Sequence, residues 1–75
     1  TYEVYGTVNV MPTGLYGSWV IASSGLITDT YNASANTSFK QEHGAFAPGV
    51  CVKVKYYIQS GVNHIVELET QESNH

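Results

Sequence analysis

Val50-Cys51-Val52-Lys53-Val54-Lys55-Tyr56-Tyr57-Ile58-Gln59 is the stretch from which the rest of the chain is read. Val50, Val52, Val54, Tyr56 and Ile58 take every second position. Side chains along a strand alternate between its two faces, so this apolar set shares one face and Lys53 and Lys55 take the other. After Ser60-Gly61-Val62 comes a second alternating run, Asn63-His64-Ile65-Val66-Glu67-Leu68-Glu69-Thr70. Val66, Leu68 and Thr70 fall on one face of it, Glu67 and Glu69 on the other. Two such runs around a short Gly-containing loop spell a β-hairpin. A loop of Ser60, Gly61 and Val62 sets Gln59 opposite Asn63, Tyr56 opposite Val66 and Val54 opposite Leu68. It also pairs Lys55 with Glu67 and Lys53 with Glu69. A loop shorter by one residue sets Lys55 against Val66 and turns an apolar row to the wrong face. The longer loop is therefore expected. Its exposed Lys–Glu pairs contribute about 0.2–1 kcal/mol each and mainly select register.

Upstream of the hairpin, Thr1 to Val10 also alternates, with Tyr2, Val4, Val8 and Val10 on one side and Glu3, Tyr5, Thr7 and Asn9 on the other. Gly6 within that strand marks a bend, a bulge or a close backbone approach. Met11 to Gly17 is punctuated by Pro12, Gly14 and Gly17 and reads as a loop. Ser18-Trp19-Val20-Ile21-Ala22 is a second strand, Ser23-Ser24-Gly25 its turn, and Leu26 to Ala33 a third strand. After a polar bend over Asn32 to Asn36, Thr37-Ser38-Phe39-Lys40 forms one more short strand. Gln41 to Gly49 reads as a loop, with Phe46 plugging one end of the core. The 3.6-residue apolar period of a helix is absent. Five to six short strands spaced by turns form a closed antiparallel barrel or a small sandwich. The expected core is Val4, Val8, Trp19, Ile21, Phe39, Phe46, Val52, Val54, Tyr56, Val66 and Leu68.

A chain of 75 residues makes one domain, 1–75, near the lower limit of independent folding. Such small scaffolds usually need a disulfide, a metal or a partner, and one cysteine excludes an internal disulfide. Only 12% of residues are charged, the net charge is −3, and the three basic residues are all lysines. A nucleic-acid binder needs a basic face to neutralise phosphates, so that class is excluded. No run of about 20 apolar residues offers a helical membrane span. The start at Thr1, with neither an initiator Met nor a signal peptide, fits a mature secreted product or an excised piece. The polar tail Gln71 to His75 is expected to be held in place by a contact.

The pattern Val4-x-Gly6-x-Val8, then Trp19-Val20-Ile21, Tyr31-Asn32-Ala33, Thr37-x-Phe39, Phe46-x-x-Gly49-x-x-Val52-x-Val54 and a final strand ending Leu68-Glu69 spans nearly the whole chain. It resembles a bacterial family of small OB-like β-barrel domains of uncharacterised function, exported or associated with lipoproteins. The resemblance implies an all-β, antiparallel five- to six-stranded OB-like barrel and an extracellular or cell-surface location. It implies no catalytic residue. Barrels of this class bind oligonucleotides or oligosaccharides in many cases, but fold does not dictate function.

Candidate chemistry is thin. His43, His64 and His75 have no partner at metal-ligand spacing, and His64 falls by parity on the core side. Cys51 points away from Val50 and Val52; it reads as a small hydrophobe or as one half of an intermolecular disulfide. The six carboxylates read as solvated charge. Asn32-Ala33-Ser34 and Asn36-Thr37-Ser38 match the N-glycosylation pattern, which the bacterial resemblance argues against. No catalytic, cofactor or metal residue is assigned, and no enzyme is expected. Outward tyrosines and sparse charge are the make-up of an interface core. The expectation is a non-catalytic exported module that associates with itself or with another exported protein, as the subunit of a surface filament or assembly. Its contact residues would be Tyr2, Val4, Tyr5, Val8, Cys51 and Tyr57, with Tyr2 to Val10 adding to a neighbour's sheet. A glycan-binding barrel is the alternative.

Overall fold

The structure is a computed structural model and describes residues 1–23 and 27–72. Most of the expected Ser23-Ser24-Gly25 turn lies outside these residues, as does the end of the polar tail with His75. Six strands are present: β1 (Tyr2–Val10), β2 (Gly17–Ala22), β3 (Thr28–Ala33), β4 (Ser38–Lys40), β5 (Cys51–Gln59) and β6 (Val62–Thr70). No helix occurs among the described residues.

The sheet curls into a ring. β1 pairs antiparallel with β2 along Thr7–Val10 and with β5 along Tyr2–Thr7. β2 pairs antiparallel with β3, and β5 with β6. The ring closes because β6 runs parallel to β4 at Ser38–Lys40 and to β3 at Asn32, opposite His64. A meander joined to a hairpin, with a parallel seam, is the OB-like order, so the sandwich alternative falls. The same pairing corrects the expectation for Tyr2 to Val10. That segment is a wall strand of the barrel, hydrogen-bonded on both sides at Thr7, and not a loose end offered to another sheet.

Gly6 is the corner that lets β1 and β2 meet. A Cβ there would lie 2.6 Å from the Ala22 carbonyl oxygen and 2.8 Å from the Ile21 Cγ2. Close approach is thus the reason for glycine. The bulge follows downstream, where Val8 faces Ile21 but Val10 faces Val20.

The core holds Val8, Trp19, Ile21, Tyr31, Ala33, Phe46, Val52, Val54, Ile65 and Leu68. Val4, Phe39 and Tyr56 pack against it partly buried. Phe46 closes one end as expected: its ring meets Trp19 edge-on at 5.4 Å and Phe39 at 5.9 Å. The Trp19 indole N–H donates to the Leu15 carbonyl at 2.9 Å, which satisfies the one polar atom the side chain takes inside. Two buried threonines stitch the seam. The Thr37 hydroxyl donates to the Ile65 carbonyl at 2.6 Å and accepts from the Ser34 N–H at 3.0 Å. The Thr70 hydroxyl accepts from the His43 N–H at 3.0 Å.

The β5–β6 hairpin differs from expectation in one half. Gln59 faces Val62, so the turn is the two-residue Ser60-Gly61. Both residues have positive φ, 53° and 75°, as a type I′ turn requires. Nearer the other end, Val54 still faces Leu68, Lys55 faces Glu67 and Lys53 faces Glu69. Tyr56 faces Ile65, so Val66 is the extra residue of a β-bulge. The bulge reverses parity beyond it. Ile65 enters the core at 3% exposure, Val66 is 37% exposed, and His64 stacks outside on Tyr57 instead of facing inward.

Candidate functional site

The outer face of the barrel uses up its positive charge on β6. Lys53 meets Glu69 at 3.2 Å, and Lys55 and Lys40 both meet Glu67, at 3.7 and 3.1 Å. The hydrogen bond from Lys53 holds the Glu69 carboxyl below its ordinary range, and the hydrogen bonds to Glu69 and Glu67 raise Lys53 and Lys40. All three lysines are therefore engaged by carboxylates of the same chain and present no phosphate-binding stripe.

The residues expected at an interface differ in exposure. Tyr2, Tyr5 and Tyr57 are exposed. Tyr2 lies 5.5 Å from the Tyr56 ring, and Tyr57 stacks on His64 at 5.1 Å. Val4 and Cys51 are half-buried. Val8 is 1% exposed, because its side of β1 faces the barrel axis, and it can touch nothing outside.

Two depressions hold polar groups. The first lies at the hairpin-turn end, where Ser18, Asp29, Thr30, Asn32 and Asn63 come together beside Gly61 and Val62. Its polar atoms serve the fold. The Asn63 side-chain amide donates to the Thr30 carbonyl at 3.0 Å and to Asp29 Oδ2 at 3.3 Å, while Asp29 Oδ1 accepts the Thr30 N–H at 2.8 Å. Both carboxylate oxygens of Asp29 are thereby occupied in tying the turn to β3.

The second depression, about 450 Å³, is lined by His43, Gly49, Val50, Cys51, Gln71 and Glu72. His43, Cys51 and Glu72 reach it from three parts of the chain. Cys51 opens β5 on the outward parity, beside Val52 at zero exposure. His43 comes from the loop after β4, and Gln71 and Glu72 continue β6. Sequence spacing did not bring His43 and Cys51 together, because seven residues of irregular loop separate them. Only the return of that loop onto the end of β6 does so. Among the described residues, no three His, Cys, Asp or Glu side chains converge as a metal-holding group. The depression therefore lacks the enclosed four-ligand set of a structural zinc site, while its sulfur and nitrogen donors suit softer cations. The Met11 thioether packs against the core.

No family model matches the chain, and no curated protein matches it. Solved structures do. The chain is similar to CusF with Ag(I), at TM-score 0.75 and 10% identity over 93% of this chain and 96% of that one. It is similar to a tryptophan-to-alanine CusF variant from Escherichia coli with Cu(II), at TM-score 0.76 and 10% identity over 93% and 90% of the two chains. Apo-CusF from Escherichia coli matches at TM-score 0.75, with 10% identity over 93% and 86%. The likeness shows a small β-barrel fold shared with a bacterial protein. It also corrects the functional expectation: the similar barrels include CusF with Ag(I) and with Cu(II), and neither a filament subunit nor a glycan binder is among these structures.

Proposed function

We propose that this chain is a non-catalytic, exported β-barrel that binds a soft metal ion. One observation carries the reading: an imidazole and the chain's single thiol line the same open depression on a barrel whose solved likenesses include CusF with Ag(I) and with Cu(II). Thiolate and imidazole are the ligands that select Cu(I) and related cations, whereas a hard cation such as Mg²⁺ or Ca²⁺ asks for several oxygens in one place. Export is supported by the sparse charge, 12% of residues, and by the family resemblance of the sequence.

Native mass spectrometry of the reduced full chain with Ag(I), and separately with Cu(I) against a chromogenic chelator, tests this. One ion per chain, retained against the chelator, is the expected result. A chain that binds neither cation more tightly than the chelator does, or that prefers Ca²⁺, overturns the reading.

A further inference from the structure

We draw no further inference here: the strongest candidate, the exposed apolar patch of Tyr57, Val62 and Val66 on the turn-side half of the β5–β6 hairpin, carries nothing, because nothing in the structure shows what covers it.

Discussion

The two halves of the β5–β6 hairpin obey different rules. In the half near the strand ends, Val52 to Lys55 face Glu67 to Thr70 in the register that side-chain pattern alone predicts. There Val52, Val54, Leu68 and Thr70 are all at zero exposure, and two Lys–Glu pairs run along the outside. In the half near the turn, register follows backbone chemistry: Ser60 and Gly61 adopt the left-handed angles of a tight turn, whose twist matches that of the strands. The two registers disagree by one residue, and Val66 absorbs the difference. A bulge is thus the place where core packing and turn geometry are reconciled, and both constraints are met at the cost of one unpaired position.

The largest test of that contrast compares adjacent residues. Ile65→Ala empties a packed position and should lower stability by about 2–5 kcal/mol, whereas Val66→Ala, on the exposed side of the bulge, should change it by well under 1 kcal/mol. Urea unfolding of both variants reads the difference. Equal losses would mean that the hairpin is not bulged there.

A second test uses Tyr31, buried against the turn-side half with its ring edge-on to Tyr56 at 4.9 Å. Burial, helped by the nearby Tyr56 and Asp29, pushes its hydroxyl up to about 12. A raised value favours the neutral form in the fold. Its contribution is therefore complete below about pH 10 and is lost as pH climbs towards 12, a fall of roughly 2–3 kcal/mol. Lys40 and Lys53, raised by their partners, lose stability in the same direction at high pH. Tyr31→Phe isolates the tyrosine: the variant's stability should decline less over pH 10–12, and parallel curves for the two proteins would refute the assignment.

The smallest effect is at the turn. Gly61→Ala places a Cβ at φ 75° and should cost about 1–2 kcal/mol. Hydrogen exchange should quicken over residues 56–65 and hold steady at Val54 and Leu68. Uniform loss of protection along both strands would show that the two halves are not set separately.

Alternation was legible in the chain because it repeats every second position, and Gly6 and Phe46 were legible as a glycine inside a strand and an aromatic inside a loop, although the groups they meet, Ala22 and Trp19, lie far along the chain. The Lys53–Glu69 and Lys55–Glu67 pairs were legible too, since opposite charges select register. The bulge was not. Its trace in the sequence is the doublet Ile65-Val66, two adjacent apolar residues in a run that otherwise alternates, and parity alone cannot say which of them turns inward. The sides taken by His64 and Tyr31 followed from that choice and from barrel closure.

Local chemistry alone determined that this protein is made of short strands around an apolar interior, with only three positively charged side chains among its lysines and arginines. Tertiary structure decided the parallel seam, the turning outward of Val66 and His64, and the placing of His43 and Cys51 on one depression. The physical reason is one of range. Strand periodicity and turn angles are settled within a few bonds, whereas ring closure and the return of a loop onto a distant strand end depend on contacts between residues that the chain keeps far apart.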